Sequence, residues 1–200
     1  ARLGKQNHRP PLIHKQHEGF TFCSCSNMIP LKRIHLIIDI LKELKLDTPL
    51  RWIHVGDGIM RKETEKYAQK MIPHIDTEFK GYISNNELLD LYASDYIDVF
   101  VNVSESEGIP VSIMEAMSAG IPVVATNVGG SSEIVNKDVG FLIEKNFVVE
   151  EVAAMIQEFL CAPSSQIESV RQNAYNFWKQ HYNAQRNYTA FAENITALTN

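Results

Sequence analysis

The chain has 200 residues, of which 44% are apolar and 22% charged, and it carries a formal net charge of -5 at pH 7. That length suits one domain with a sizeable core, and the composition excludes a disordered or fibrous chain. The acidic balance argues against a nucleic-acid surface, which needs clustered lysine and arginine.

Residues 1–19 hold Arg2, Lys5, Arg9 and Lys15 against a single acid, Glu18, with Pro10-Pro11 between them, and this is linker composition. From Phe20 onward short apolar runs alternate with amphipathic segments, the pattern of βα units on a parallel sheet. The first strand is expected at Phe20 to Ser24. A helix follows from Lys32 to Lys45, in which Ile34, Ile37, Ile38, Leu41 and Leu44 repeat at helical spacing. Leu50 to Val55 is the second strand, ending at Gly56-Asp57-Gly58 and leading to a polar helix at Arg61 to Met71. Asp76 to Gly81 is the third strand and Asn85 to Ala93 the next helix. The fourth strand, Tyr96 to Val103, is continuously apolar, as a strand covered on both faces should be. Next come a Ser/Glu/Gly loop, a helix to Ala119, a strand at Pro122 to Thr126, a short helix opened by Gly129-Gly130-Ser131, and a last strand at Gly140 to Ile143. After the Glu150 to Leu160 segment two helices close the chain. The first has a capping-box pattern, Ser165 with Glu168, and places Ile167, Val170, Ala174, Phe177 and Trp178 on one face. The second repeats Tyr188, Phe191, Ile195 and Leu198.

This order predicts an α/β, Rossmann-like, doubly wound parallel sheet with helices on both faces and the ligand at the carboxyl ends of the strands. The domain is expected over 20–182, with 1–19 a linker remnant.

The cysteines Cys23, Cys25 and Cys161 are odd in number and lack zinc spacing, so they read as reduced thiols of a cytoplasmic protein. No apolar run approaches the ~20 residues of a bilayer span, and no signal-peptide core is present. The Asn-x-Ser/Thr triplets at Asn102, Asn187 and Asn194 read as chance, Asn102 because it falls in a buried strand. The seven histidines are scattered, and no metal or cofactor is expected.

The richest loop follows the fourth strand, where Glu107-Gly108-Ile109-Pro110 runs into a helix carrying Glu115. Carboxylates accept hydrogen bonds from hydroxyl-rich ligands, Gly108 admits a ligand to the backbone, and helix N-H groups attract an anion such as a diphosphate. The plain alternative makes Glu107 a solvated loop acid and Glu115 a surface helix residue.

Read from Glu107 to Thr126, EGIPVSIMEAMSAGIPVVAT resembles the signature block of the family 4 retaining glycosyltransferases, and Gly129-Gly130 with Glu133-Ile134-Val135 continues it. Weaker elements agree in order: Pro30 to Ile34, Gly56-Asp57-Gly58 and Phe79 to Ile83. The resemblance implies the C-terminal, donor-binding half of a two-domain GT-B enzyme, the acceptor being held by an N-terminal half. The acceptor would be a glycan, lipid or small molecule, and the enzyme would lie in the cytoplasm, a setting compatible with peripheral attachment at the inner membrane surface.

The same resemblance implies the site. Glu107 would contact the donor sugar and Glu115 the nucleotide ribose, with Gly108, Ile109, Pro110 and Val111 along the sugar and diphosphate. Tyr82 and Ile83 would pack the base, and Gly58 would form a tight turn nearby. The family's diphosphate clamp pairs an Arg with a Lys five positions on; Lys32 matches the Lys, but Asn27 occupies the Arg position. Either Arg33 compensates or backbone N-H groups hold more of the diphosphate. Glu107 and Lys32 are thus the catalytic candidates. The last helix, in 183–200, would cross to the absent half. The alternatives are a sugar-nucleotide epimerase of the same build and a non-catalytic nucleotide-sugar-binding module.

Overall fold

The computed structural model describes residues 18–183. The expected linker up to residue 17 and the expected crossing helix from residue 184 lie outside them. Six strands form one sheet: β1 (Phe20–Cys25), β2 (Leu50–Val55), β3 (Asp76–Gly81), β4 (Val99–Asn102), β5 (Val123–Thr126) and β6 (Gly140–Ile143). Between and after them run α1 (Ile34–Glu43), α2 (Arg61–Met71), α3 (Asn85–Ser94), α4 (Val111–Ser118), α5 (Ser131–Ile134), α6 (Val149–Leu160) and α7 (Ser164–His181).

Every pairing is parallel and the strand order is β3-β2-β1-β4-β5-β6. The α/β, Rossmann-like doubly wound fold expected from the sequence is therefore present. Its order reverses between β1 and β4, where Phe22 lies beside Val99 and Cys23 beside Phe100. The loops leaving these two strands part in opposite directions and leave a crevice at the carboxyl edge of the sheet.

Alternation along the strands divides the core in two. Phe22, Trp52, Val99, Val101 and Val124 face α1, α2 and α6, where Ile37, Ile38, Leu41, Ala68, Val152, Ile156 and Phe159 meet them. Cys23, Ile53, Val55, Phe100, Val123 and Ala125 face the other side, against Leu88, Tyr92, Ile113, Ala116, Met117, Ile134, Ala174 and Trp178. Each large aliphatic or aromatic side chain so buried is worth about 1.5–3 kcal/mol of transfer free energy, which is why strands with so few polar residues sit in the middle layer.

Three local expectations change. The fourth strand is the shorter Val99–Asn102, because Asp98 leaves the apolar run to accept a hydrogen bond from the Thr21 backbone N-H at 2.8 Å. The first helix begins at Ile34, after a 3-10 turn at Pro30–Lys32, since Arg33 adopts φ 48° and breaks the path between them. The capping box at Ser165 does not form. Helix α7 starts at Ser164 behind Pro163, two residues earlier than a Ser165 cap would set it, with no side-chain cap. A capping box does close the start of α3, where Ser84 Oγ accepts from the Glu87 N-H and Glu87 accepts from the Ser84 N-H. Among the described residues no helix is long and apolar enough to cross a membrane.

Candidate donor site at the switch point

The loop after β1 carries Asn27 and Lys32, and the loop after β4 carries Glu107; they meet across the crevice. Lys32 Nζ donates to Glu107 Oε1 at 2.7 Å, with the two side chains 18% and 10% exposed. The same oxygen accepts from Asn102 Nδ2 at 3.1 Å, while Asn102 Oδ1 accepts from the Ser104 N-H. Burial alone would raise the Glu107 pKa. Hydrogen bonds from Lys32, Ser104 and Asn102, together with the lysine charge, overcome it and hold the carboxyl below the ordinary range. Glu107 is thus an ionised, oriented acceptor, and the reading of a merely solvated loop acid fails on this geometry. Asn102 is buried, which fits the sequence reading of its triplet as chance.

Two turns brace the two loops of the crevice, one behind each. Gly129 has φ +52°, and a Cβ there would lie 1.8 Å from the Glu107 carbonyl oxygen; the next N-H, from Gly130, donates to Gly108 O at 2.8 Å. Only a residue without Cβ lets the β5-α5 turn back the Glu107 peptide so closely. On the other side Gly58 packs under the β1-α1 loop, where its Cβ would meet Met28 O at 2.4 Å, and Met28 is bonded to both Asp57 and Met60 backbone. Gly58 therefore supports the crevice wall from below.

Arg33 is engaged elsewhere than in the crevice. Its Nε donates to Val103 O at 2.8 Å, Nη1 to Lys145 O at 2.9 Å and Nη2 to Ser104 O at 3.3 Å, and its guanidinium lies 5.8 Å from the Phe147 ring centre. It fastens the loop bearing Lys32 to the loops after β4 and β6. Asn27 is exposed on the rim. Lys32 is left as the nearest side-chain cation to Glu107.

Gly108 has open space where a Cβ would project, and Ile109 and Val111 are 64% and 57% exposed. Helix α4 starts behind Pro110 with no side-chain cap; the Ile113 N-H is taken by Pro110 O at 3.1 Å, which leaves the Val111 and Ser112 N-H groups at the helix start without a partner among the described residues. Its inner side places Glu115 half-buried above Cys25 and Tyr92. Burial raises the Glu115 pKa, and a hydrogen bond from Asn85 Nδ2 partly opposes this. Cys25 is pushed up to about 12, first by burial and then by the Glu115 charge, so it stays a thiol. Along the same rim Tyr82 is 86% exposed and Ile83 partly buried. Arg61 steadies this segment by donating to Phe79 O at 3.0 Å and to Asp57 Oδ2 at 2.9 Å.

The structure thus lines Lys32, Glu107, Gly108 to Val111, Glu115, Tyr82 and Ile83 along one edge and turns Arg33 away from it. Sequence reasoning gave no site role to Asn102, Asn85 or Arg61. Their hydrogen-bond partners come from other elements, and the asparagine at the start of α3 was visible only as part of a helix opening.

A buried polar chain lies beneath the crevice. Trp52 Nε1 donates to Ser24 Oγ at 3.0 Å, Ser24 Oγ meets His54 Nδ1 at 2.8 Å, and His54 Nε2 meets Ser26 O at 3.2 Å. A carbonyl can only accept, so His54 carries its proton on Nε2 and accepts a hydrogen bond from the Ser24 hydroxyl at Nδ1. Burial lowers its pKa to about 4 and keeps it neutral.

Known proteins resemble this chain in sequence and in fold. The chain is 36% identical over 123 residues to a sulfoquinovosyl transferase of Arabidopsis thaliana, covering 59% of this chain and 23% of that one. It is 32% identical over 106 residues to a GDP-mannose-dependent alpha-mannosyltransferase of Corynebacterium glutamicum, covering 53% and 24%. Anabaena HepE, solved in complex with UDP and glucose, superimposes with a TM-score of 0.75 at 25% identity over 89% of this chain and 48% of that one. The C-terminal domain of LpcC, a group 1 glycosyl transferase of Francisella tularensis, shares the fold with a TM-score of 0.71 at 21% identity, covering 82% and 87%. The match therefore spans less than half the length of these curated relatives and about half of HepE. The sequence pattern of the glycosyl transferases group 1 matches residues 6–177, and the chain belongs to that family.

Proposed function

We propose that this chain is the donor-binding half of a retaining glycosyltransferase that moves a hexose from a nucleoside diphosphate sugar to an acceptor hydroxyl. The observation that carries the reading is the Lys32–Glu107 pair, held at 2.7 Å across the switch point where such folds take their ligands. It sets a cation and a sugar-hydroxyl acceptor side by side, as a diphosphate joined to a hexose requires.

In this reading the sugar hydroxyls donate to Glu107. The diphosphate lies between Lys32 and the uncapped start of α4, both of which favour the negative charge that grows as it departs. With Asn27 at the rim and Arg33 tied to carbonyls, the backbone N-H groups take a larger share of that charge than a second cation would leave them. The ribose donates to Glu115, and the base lies along Tyr82 and Ile83. HepE, whose complex holds UDP and glucose, supports a ligand of this class. The acceptor, whether glycan, lipid or small molecule, is held by the other half of the enzyme.

Calorimetry with uridine, UDP and UDP-glucose tests the placement. Lys32→Ala should weaken UDP and UDP-glucose by roughly 1.5–3 kcal/mol and leave uridine unchanged, as expected for a charge-assisted bond. Glu107→Ala should weaken UDP-glucose more than UDP. A Lys32→Ala protein that binds all three as the wild type does would move the diphosphate site elsewhere.

A further inference from the structure

The half-buried Glu115 has one side-chain partner among the described residues, the amide of Asn85. That asparagine is the first residue of α3, thirty positions earlier in the chain, on a helix whose start is closed by the Ser84–Glu87 capping box. It stands three residues after Tyr82. A carboxylate oxygen can only accept, so Asn85 must present its NH2 to Glu115 Oε1, and Oε2 is left without a partner among the described residues. A free glutamate on a helix exchanges rotamers. Here one oxygen is pinned to a neighbouring helix and the other is available.

We propose that Asn85 is a positioning residue for ribose recognition: its amide fixes the Glu115 carboxylate so that the second oxygen receives the ribose hydroxyls. The inference rests on the reading of Glu115 as the ribose acid and adds the residue that sets its orientation and ionisation. The arrangement also ties the two ends of a nucleoside together, because the segment at Tyr82 and Ile83 continues directly into the helix that holds the ribose acid.

The chemistry gives Asn85 a second effect. The titratable groups facing Glu115 are Cys25 from β1 and Tyr92 from α3, both held protonated by burial, with Cys23 beyond Tyr92. None of them supplies a positive charge. Burial already raises the Glu115 pKa and Asn85 opposes it, so removing the amide leaves the carboxylate without its donor and raises its pKa further. Asp in place of Asn keeps the shape but puts a like charge beside Glu115. A role in packing alone would leave the Asp variant close to the wild type, whereas a donor role makes it worse than Ala.

The test uses this chain with UDP, GDP and ADP and the 2′- and 3′-deoxy form of each, carrying forward the diphosphate that binds tightest. Binding is measured by calorimetry from pH 5 to pH 8 for wild type, Asn85→Ala, Asn85→Asp and Glu115→Gln. In parallel the Glu115 carboxyl is titrated by carbon NMR without ligand. The expected result is a roughly tenfold loss of ribonucleotide affinity in Asn85→Ala at neutral pH, with a smaller preference over the deoxy forms. The Glu115 titration should move to higher pH in Asn85→Ala and further in Asn85→Asp, and the loss of binding on acidification should move with it. Asn85→Ala added to Glu115→Gln should change nothing more. An Asn85→Ala protein with the wild-type Glu115 titration and deoxy discrimination, while Glu115→Gln loses the latter, overturns the role of Asn85 alone. If Glu115→Gln also keeps it, or no diphosphate prefers ribose, the reading of Glu115 as the ribose acid falls with it.

Discussion

Seven residues lie between Glu107 and Glu115, yet their carboxyls are driven in opposite directions. Glu107 is depressed by Lys32, Ser104 and Asn102 against its burial, whereas Glu115 is raised by burial with one amide opposing. A carboxyl lowered in the folded state stabilises it above the unfolded pKa and ceases to as pH falls through the folded value; a raised one works against folding once ionised. At pH 7, Glu107→Gln should therefore lower the melting temperature, by about 2–4 °C for each kcal/mol lost in a domain of this size. Glu115→Gln should be neutral or stabilising, since the amide oxygen still accepts from Asn85. The cost that Glu115 imposes on the fold is the kind tolerated at a binding residue. Thermal melts showing the reverse order would contradict the assignment. Asn27 shows what one residue alone conveys. Its identity marked a departure from the family clamp, but the fate of Arg33 beside it depended on carbonyls far along the chain.

At the scale of elements the site is a set of turns braced against one another. The β5-α5 turn backs Glu107 through Gly129, so Gly129→Ala forces a Cβ into the Glu107 carbonyl from a left-handed backbone. The expected cost is about 2 kcal/mol or more of stability, with sugar-nucleotide affinity falling further than affinity for the bare nucleotide. Equal losses for both ligands would show that the turn does not set Glu107. Beneath the β1 and β2 loops, His54 is neutral, its pKa lowered by burial to about 4. A histidine whose pKa is depressed on folding contributes stability that declines as pH falls from the unfolded value toward the folded one. Stability should drop by roughly 3 kcal/mol between pH 6.5 and 4 from this group, and His54→Gln should flatten that part of the denaturation profile. An unchanged profile would mean that His54 is protonated in the native state. The elements also show where periodicity was sufficient. Leu50–Val55, Arg61–Met71, Asp76–Gly81 and Gly140–Ile143 stand where the sequence pattern placed them, whereas α7 starts at Ser164 because Pro163 takes the cap position two residues before the expected Ser165.

For the molecule as a whole, the proposal is that binding and transfer are divided between two halves. The described domain closes its own sheet with helices on both faces and leaves one crevice edge carrying Ile59, Tyr82, Ile109 and Val111 exposed. In that proposal these residues form the side turned to the acceptor-bearing half. This chain by itself should bind a nucleoside diphosphate sugar and transfer nothing to an acceptor. Labelled UDP-glucose incubated with the chain and a panel of sugar acceptors checks this, and turnover by the chain alone would refute the division of labour.

The alternation of apolar runs and helical stripes by itself determined the doubly wound class, because burial on two faces demands that pattern. The run from Glu107 to Thr126 with its glycines determined the family. Which groups meet was decided only by the tertiary structure, since hydrogen bonds between loops depend on strand order and not on sequence spacing. The contacts of Arg33 with Lys145 after β6 and of Asn85 after β3 with Glu115 span further strands of the same sheet order, and those of Lys32 with Glu107 and of Arg33 with Val103 and Ser104 follow from β1 lying beside β4. No local pattern encodes that neighbour, because it is set by the order in which the whole sheet is wound.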